Sequence, residues 1–385
     1  MAEAPWREAG FGLYFHWPFC QAKCPYCDFN SHVTANVDQT RWAAAYEAEI
    51  ARIAVLTGPR IVSSVFIGGG TPSLMQPEVV DRIMRAVRAA WPMANDTEIT
   101  MEANPASSDL TRFEGYAAAG INRLSMGIQA LNDKDLRALG RLHSVAEAKT
   151  AFAAARGLFG QVSFDLIYAR QGQTAADWGR ELREALDMAV DHLSLYQLTI
   201  EEGTAFGARL KAGKLRNLPN EDLAADMWDM TQAVTAEYGM DNYEISNHAR
   251  PDAQSKHNQI YWRCGDWAGI GPGAHGRLTL DGIRWATAAP LAPGAWLTQV
   301  EKHGHGDESK EVLSRDDQLS ELLLMGLRLR EGVALPRIAA LSGGALTGNI
   351  AELVEMGMVE QTQTHLRTTE KGMPLLNAVL RQLLA

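Results

Sequence analysis

Apolar runs rich in β-branched residues alternate with helical patterns through the first half of the chain. Strands are predicted at Gly12–His16, Ile61–Ile67, Glu98–Glu102, Asn122–Gly127, Val162–Tyr168 and His192–Leu198. Helices are predicted between them at Asp38–Leu56, Pro77–Ala90, Asp109–Ala119, Val145–Arg156 and Ala175–Met188. This repeated order predicts parallel strands joined by helical crossovers, and six units are fewer than the eight of a closed barrel. The expected fold class is therefore α/β, with an open, partial six-stranded (β/α)6 barrel.

After about residue 205 the alternation stops. A helix is predicted at Asp222–Tyr238 and a strand at Asn242–Ser246, followed by the irregular, glycine-rich CGDWAGIGPGAHG. From Arg315 the pattern is mostly helical, with MVEQTQTHLRTTEKG predicted as a hairpin before a last helix that ends near Leu384. We therefore expect the barrel at 1–205, an extension at 206–293, a linker at 294–313, and a small, mostly helical, winged-helix-like C-terminal domain at 314–385.

The composition limits the number of domains, the cellular compartment and the class of partner. The chain has 385 residues, of which 46% are hydrophobic, enough for one large and one smaller domain. The start, MAEAPWREAGFG, has no basic region followed by an apolar run, and no eighteen apolar residues follow one another, so we expect a cytoplasmic protein. The formal net charge of −10 and the lack of a basic stripe argue against a nucleic-acid partner.

Three of the four cysteines lie in YFHWPFCQAKCPYCDFN, residues 14–30, as Cys20, Cys24 and Cys27. In a reducing compartment, clustered thiols indicate metal binding or catalysis rather than disulfides. A structural zinc site needs a fourth ligand; there is no second C-x-x-C pair, although His16 or His32 would complete such a site. Three thiolates on one loop suit a [4Fe–4S] cluster with one iron open to an external ligand.

Further residues that could bind a ligand follow the predicted strands, where a barrel presents its carboxyl-terminal face. The segment GGGTPS, Gly68–Ser73, follows the second strand, and its glycines let the backbone approach a ligand closely. Glu102 ends the third strand and Gln129 follows the fourth, with Arg141 beyond it and Asp165 in the fifth strand. Taken singly, these have simpler interpretations, such as an ordinary turn or a structural ion pair between Asp165 and Arg141.

The C-x3-C-x2-C spacing, with the aromatic Tyr26 before the third cysteine, resembles the signature of radical S-adenosylmethionine (SAM) proteins. With the strand-end residues, it is similar to their coproporphyrinogen-oxidase-like branch over nearly the whole chain. The resemblance implies a radical SAM barrel with a [4Fe–4S] cluster bound by Cys20, Cys24 and Cys27, and SAM on the open iron. The SAM contacts it implies, with Tyr26 beside the cluster, are Tyr14, Gly69, Gly70, Thr71, Glu102, Gln129, Arg141 and Asp165.

Two functions from different classes occur in that branch. One is the oxygen-independent coproporphyrinogen III oxidase, an enzyme that decarboxylates two propionates; the other is a haem chaperone, a binding protein. The oxidases that this chain resembles have a fourth cysteine two positions after the third, where this chain has Phe29. They also have several tens of residues before the cysteine loop, whereas nineteen precede Cys20. Both differences favour the chaperone, with the oxidase as the alternative.

The segment HNQIYW, His257–Trp262, matches a motif that the chaperone group associates with haem. An imidazole suits haem iron and aromatic faces suit the macrocycle, so His257 is a candidate haem ligand; the alternative is a hydrogen-bonded core histidine. Cys264 is expected to be a buried, inert thiol, and the alternatives are a second haem ligand or a distant cluster ligand. The resemblance also implies haem-acceptor proteins, among them membrane-associated respiratory enzymes that would bring the chain to the membrane surface, and a homodimer.

Overall fold

The computed structural model describes residues 8–107, 110–188, 191–343 and 350–384. Its strands are β1 (Phe11–Trp17), β2 (Phe19–Cys20), β3 (His32–Val33), β4 (Val62–Gly69), β5 (Met93–Ala103), β6 (Arg123–Gln129), β7 (Gln161–Tyr168), β8 (His192–Gln197), β9 (Asp241–Asn242), β10 (Asn247–Ala249), β11 (Asp266–Ile270), β12 (His275–Leu280), β13 (Ile283–Ala288), β14 (Ser309–Val312), β15 (Val333–Ala334), β16 (Val359–Gln361) and β17 (His365–Thr368).

The α-helices follow the predicted alternation and continue into the C-terminal part. They are α1 (Gln39–Thr57), α2 (Pro77–Ala90), α3 (Leu110–Ala119), α4 (Asp133–Ala138), α5 (Val145–Arg156), α6 (Ala175–Asp187), α7 (Ala205–Lys211), α8 (Glu221–Glu237), α9 (Lys256–Trp262), α10 (Pro293–His303), α11 (Arg315–Gly326), α12 (Leu335–Ser342), α13 (Ile350–Glu355) and α14 (Leu376–Leu383). Asp109, the predicted start of the third helix, lies outside the described residues.

Within the described residues, twelve strands form one sheet in the order β14-β13-β12-β11-β1-β4-β5-β6-β7-β8-β10-β9. Strands β1, β4, β5, β6, β7 and β8 pair in parallel with one another in this order. All six lie where the hydrophobic pattern predicts them, and the partial (β/α)6 barrel is confirmed. Parallel pairing brings the carboxyl ends of these strands to one edge, together with the loops that follow them.

The sheet extends further than the sequence predicts. Strand β11 pairs in parallel with β1, and β12 to β14 continue it in antiparallel order. Strand β11 lies in the glycine-rich segment that we interpreted as irregular. A Cβ at Gly269 would lie 2.2 Å from the carbonyl oxygen of His275. The glycine that weakens the strand signal is therefore required by the close approach of the two backbones.

The segment 294–313, expected to be a linker, contains most of helix α10 and strand β14. Trp296 of α10 stacks on Trp42 of α1 with ring centroids 5.4 Å apart and is 1% exposed. Strand β14 pairs with β13 and forms one end of the large sheet. The polar KHGHGDESK segment includes the connection between these two elements, so its turn-like composition reflects that connection and not a flexible bridge between domains.

The strand predicted at Asn242–Ser246 is wrong. The short strands β9 and β10 flank this segment and pair antiparallel with each other. Between them, the Oε1 atom of Glu244 accepts hydrogen bonds from the backbone N–H of Ser246 at 2.8 Å and from Nδ2 of Asn247 at 2.6 Å. These side-chain bonds close a turn in place of the ladder bonds of a strand.

The C-terminal part forms a small unit with its own apolar core. Helix α11, strand β15, helices α12 and α13 and the hairpin β16–β17 follow one another, with strand order β15-β17-β16. The hairpin is confirmed, with Val359 opposite Thr368. Leu323, Leu327 and Leu366 of this unit are fully buried. No helix in the described part of the chain is both long and apolar enough to cross a membrane.

Candidate metal and cofactor site

The cysteine loop leaves the sheet directly after β1. Cys20 is the last residue of β2, which pairs in parallel with β3, and Cys24 and Cys27 lie in the turns that follow, joined by a backbone bond from the N–H of Cys27 to the carbonyl of Cys24. All three are free thiols. Burial raises the pKa of Cys20 and of Cys27, so both side chains are protonated near neutral pH unless a cation binds them.

A buried histidine holds the end of this loop against the barrel. Nε2 of His16 donates to the carbonyl of Asn30 at 2.8 Å, and its Nδ1 accepts from the hydroxyl of Tyr14 at 2.9 Å. The amide of Asn30 in turn donates to the carbonyls of Pro272 and Leu291 at 3.0 and 2.9 Å. The loop is thus fixed to β1 on one side and, on the other, to the loop before β12 and the loop after β13.

One cavity gathers nearly all the predicted site residues. Its lining includes the three cysteines and the predicted SAM contacts other than Tyr14, namely Tyr26, Gly69, Gly70, Thr71, Glu102, Gln129, Arg141 and Asp165. These residues come from the cysteine loop, from strands β4 to β7 and the segments directly after them, and, for Arg141, from the loop after α4. The parallel sheet therefore brings distant parts of the sequence to a single site.

The glycine segment after β4 packs against the cysteine loop. Thr71 donates a hydrogen bond from Oγ1 to Sγ of Cys20 at 3.4 Å. A Cβ at Gly70 would lie 3.0 Å from the same sulfur, and a Cβ at Gly69 would lie 2.7 Å from the ring of His16. Gly69 also has φ +116°, a conformation that other residues rarely adopt. Both glycines are required for this contact.

Two carboxyl groups face the cavity. Burial, followed by the charge of Asp165, raises the pKa of Glu102 to about 8, although its Oε2 accepts a bond from the N–H of Gly69 at 3.0 Å. Burial also raises the pKa of Asp165 to about 6, against the opposing effects of Ser194 and Arg141. A buried acid with a raised pKa gains most from a cationic or hydroxyl-bearing ligand, because such a ligand favours the charged form.

Arg141 contacts the cysteine loop rather than Asp165. Its NH1 donates to Sγ of Cys24 at 3.4 Å and its NH2 to the carbonyl of Gly127 at 2.7 Å, whereas its buried Nε has no acceptor within the described residues. Arg141 acts on Asp165 through its charge alone, since neither of its described hydrogen bonds goes to that carboxylate. Gln129, with φ +77°, follows an irregularity in the pairing of β6 with β7, which turns its side chain toward the cavity.

The donor set fits an iron–sulfur cluster better than a single ion. Within the described ranges, no three His, Cys, Asp or Glu side chains are placed to hold one metal ion. His16 and His32, the candidates for a fourth zinc ligand, are bonded to the backbone and side chain of Asn30 respectively. Three thiols on one cavity wall, with a guanidinium beside Cys24, suit a larger sulfur-ligated group that carries negative charge.

Tyr14 and His257 do not line this cavity. His257 is 1% exposed, and its two ring nitrogens are hydrogen-bonded at 2.7 Å to Oγ of Ser64 and to the hydroxyl of Tyr261. Its ring stacks on Phe66 with centroids 5.0 Å apart, and Tyr14 lies within 6.3 Å of it. Burial lowers the pKa of His257 to about 3, so the imidazole is neutral.

Several further residues line the cavity without having been predicted there. They include Phe29, Ser31, Asn104, Ser125 and Gly127. Gly127 has a steric reason, because a Cβ there would lie 3.0 Å from Nε2 of Gln129. The only sequence signal for the others is their position, since Phe29 and Ser31 flank the end of the cysteine motif and Asn104 follows β5.

Family models match two parts of the chain. The model of the radical SAM superfamily matches residues 14–185, and that of the HemN C-terminal domain matches residues 313–375. Among solved structures, one titled as the coproporphyrinogen III oxidase (HemN) of Escherichia coli, a radical SAM enzyme, matches with a TM-score of 0.81 at 24% identity, covering 97% of this chain and 89% of that one. This match supports the fold.

Curated relatives match almost the whole chain. A bovine mitochondrial protein named radical S-adenosyl methionine domain-containing protein 1 is 39% identical, covering 97% of this chain and 87% of the relative. The heme chaperone HemW of Escherichia coli is 36% identical, covering 97% and 98%. The heme chaperone HemW of Mycobacterium tuberculosis is 35% identical, covering 99% and 96%.

Proposed function

We propose that this chain, which belongs to the radical SAM superfamily and within it to the group of the HemW proteins, is a haem chaperone that binds haem and passes it to acceptor haemoproteins. The observation that carries the proposal is the 36% identity to the Escherichia coli heme chaperone over 97% of this chain and 98% of the relative. The two chains match over nearly their whole lengths. The function named for that relative is therefore the first one to test here.

Phe29 supports the same proposal at the site. It lies two positions after Cys27, where the oxidases that the sequence resembles have a fourth cysteine, and its side chain is 60% exposed. The cavity therefore has an apolar side chain at that position and no fourth thiol on the loop. The oxidase remains the competing function, and its reaction is included in the test below.

We further propose that Cys20, Cys24 and Cys27 hold a [4Fe–4S] cluster and that the surrounding residues bind SAM. When bound, the cluster and SAM together supply one-electron cleavage of the SAM sulfonium in radical SAM proteins. Arg141 would balance the negative charge of the sulfurs, since it already donates to Cys24. Glu102 and Asp165 would accept bonds from the amino or hydroxyl groups of SAM, and the backbone at Gly69 and Gly70 would permit its close approach.

His257 is the haem ligand that the sequence suggests, and its surroundings set a condition on that role. Both ring nitrogens are bonded and the ring is buried. A haem iron would reach Nε2 only after displacing the hydroxyl of Tyr261 and opening the space around α9. The acceptor proteins, including membrane-associated respiratory enzymes, and a homodimer remain part of this proposal.

The test uses anaerobically reconstituted protein supplied with dithionite and SAM. One half receives coproporphyrinogen III and is analysed by chromatography for protoporphyrinogen IX; the other half receives haem and is titrated by its Soret band. We expect saturable, stoichiometric haem binding and no decarboxylated product. Formation of protoporphyrinogen IX, or the absence of saturable haem binding, contradicts the proposal.

A further inference from the structure

A second hollow borders the cysteine loop, apart from the cavity that all three cysteines line. It has a volume of about 530 Å³, and its walls are the loop itself, the end of α4 with Gly140, and the start of α7. We call it the α4–α7 hollow. Its lining includes Cys24 and Cys27, but Glu102 and Asp165 line only the cavity. These two cysteines therefore border two separate spaces.

Both helices pack directly on the cysteine loop. The N–H of Phe206 in α7 donates to the carbonyl of Pro25 at 2.8 Å, and the ring of Phe206 lies 6.5 Å from that of Tyr26. A Cβ at Gly140, after α4, would lie 2.7 Å from Cδ of Pro25, and Gly140 has φ +69°. These contacts hold the walls of the hollow beside the two cysteines.

The charged side chains of the hollow are all positive. Lys23, Arg137 and Arg209 line it, and no acidic side chain is among its described lining residues. All three are exposed, and none forms an ion pair within the described part of the chain. The acidic pair at 201–202 lies just before this wall and does not line it. On a chain with a formal net charge of −10, this local excess of positive charge favours a negatively charged partner.

The position of these charges indicates the kind of partner. The proposed cleavage of SAM consumes one electron, which has to reach the cluster from outside the chain. The hollow leads to Cys24 and Cys27 without passing the strand-end residues proposed to contact SAM. Its cations are exposed and hydrated, which suits the steering of a large acidic surface better than the tight binding of a small anion.

We propose that the α4–α7 hollow is the docking site of an acidic protein that carries one electron, an inference that rests on the proposed cluster. The carrier is oxidised by one electron and the cluster is reduced by one, at the side of Cys24 and Cys27; no atom is transferred. Contacts between redox proteins are typically small and transient, so charge complementarity acts mainly on the rate of encounter.

The test uses the full-length, anaerobically reconstituted protein and two reductants of opposite charge. One is a reduced, acidic [2Fe–2S] ferredoxin, the other is the methyl viologen radical cation, and stopped-flow absorbance follows the reduction of the cluster by each. The variants are Arg137→Glu and Arg209→Glu. The control is Arg156→Glu, which changes an exposed arginine at the end of α5, before β7 and thus at the opposite edge of the sheet.

We expect each variant of the hollow to slow reduction by ferredoxin by about fivefold, because the new carboxylate repels the acidic carrier. Reduction by the viologen cation should not slow, and Arg156→Glu should match the wild type with both reductants. Binding gives a second readout that needs no reduction. Oxidised ferredoxin, titrated by calorimetry, should bind the wild type more weakly at about 300 mM than at about 50 mM salt, and both variants of the hollow more weakly still.

The other outcomes contradict the proposal in different ways. Equal ferredoxin rates in all four proteins, with viologen reducing each of them, would exclude the hollow and leave the proposed cluster standing. Equal slowing in Arg156→Glu would show an effect of net charge and not of a docking site. Equal slowing with viologen would show that the substitutions disturb the cluster. A wild-type chain without a reducible cluster would overturn both the cluster and its docking site, whereas haem binding is measured separately.

Discussion

Glu102 and Asp165 face one cavity from strands β5 and β7, where neither carboxyl group is fully hydrated. Burial raises the pKa of Glu102 to about 8 and that of Asp165 to about 6. In the unfolded chain both pKa values are lower, so the folded protein binds more protons over the intervening pH range. Ionisation of the two acids therefore lowers the free energy of unfolding. A cationic ligand in the cavity would offset this loss, because it favours the charged form of each acid.

This linkage predicts a pH dependence for the protein without added cofactors. Between about pH 5 and about pH 8 the folded state holds the Glu102 proton more tightly than the unfolded state, so the free energy of unfolding falls as pH rises. The Glu102→Gln variant lacks this contribution. We expect the loss of stability between these two pH values, measured by urea unfolding, to be smaller in Glu102→Gln than in the wild type. Equal losses in both proteins would show that Glu102 ionises normally.

The three cysteines allow a second test at the residue scale. Replacing Cys20, Cys24 and Cys27 together by Ala removes the sulfur ligands from the cavity but changes no residue of the HNQIYW segment on α9. We expect reconstituted variant protein to lack iron, sulfide and the cluster absorbance, while its haem affinity stays close to that of the wild type. Cys264→Ala, which alters a buried thiol outside the site, is the control. Loss of haem binding in a folded triple variant would contradict separate sites.

The site residues differ in how far the sequence predicts their positions. Cys20, Cys24 and Cys27 are close in the sequence, and Glu102 and Asp165 lie in parallel strands, so spacing and topology bring them together. For Tyr14 and His257 the same patterns do not tell whether the side chain lies in the core or at the ligand site. Both occur in aromatic surroundings that fit a ligand site as well as a core, and the contacts with Ser64, Phe66 and Tyr261 that bury His257 come from distant elements.

At the scale of elements, strand β11 connects the barrel to its antiparallel extension. Asp266 of β11 is fully buried and accepts bonds from NH1 of Arg60 at 2.7 Å and from NH1 of Arg284 at 3.0 Å. Both arginines are less than 10% exposed. The network joins the chain before β4 to β11 and β13. Its members are too far apart in sequence for any local pattern to predict it.

Breaking this network should lower the free energy of unfolding. Asp266→Asn removes the negative charge from between two buried guanidinium groups, and such a change typically destabilises a protein by about 3–5 kcal/mol. Glu301→Gln, which removes the acid of the exposed pair with Arg41, is the matched control and should have no measurable effect. Chemical unfolding monitored by circular dichroism compares the two. Similar small effects for both variants would contradict a structural role for Asp266.

Helix α9 lies between the barrel and the C-terminal unit. His257 projects toward Ser64 of β4, whereas Arg263, just after the helix, pairs with Glu331 at 2.7 Å and accepts a bond at its carbonyl from Arg337. The HNQIYW segment is therefore a structural connector in this fold, whether or not it also contacts haem.

His257→Ala tests this connector. The substitution leaves a cavity beside Phe66 and removes the bonded partner of Ser64 and Tyr261. We expect the free energy of unfolding to fall by about 2–4 kcal/mol. Asn258→Ala, on the same helix, should change it much less. A His257→Ala variant as stable as the wild type would show that the buried imidazole contributes nothing to packing.

At the scale of the whole molecule, one sheet runs from the barrel into the segment that the sequence suggested as a linker, and the C-terminal unit is joined to it by ion pairs. Arg277 of β12 pairs with Glu321 of α11 at 2.6 Å, in addition to the pair between Arg263 and Glu331. The six βα units were predictable because each has its own hydrophobic period. The extension was not, since its strands are short, contain glycines and depend on a neighbour already in place.

The proposed chaperone function requires that the chain delivers haem to an acceptor protein. The most direct measurement mixes the haem-loaded protein with an apo-cytochrome and follows the visible spectrum of each after separation. If the chain is a haem chaperone, haem leaves it, appears in the cytochrome in stoichiometric amount, and moves faster than free haem does at the same concentration. Haem that stays on the chain, or that reaches the cytochrome no faster than from solution, would contradict the chaperone function.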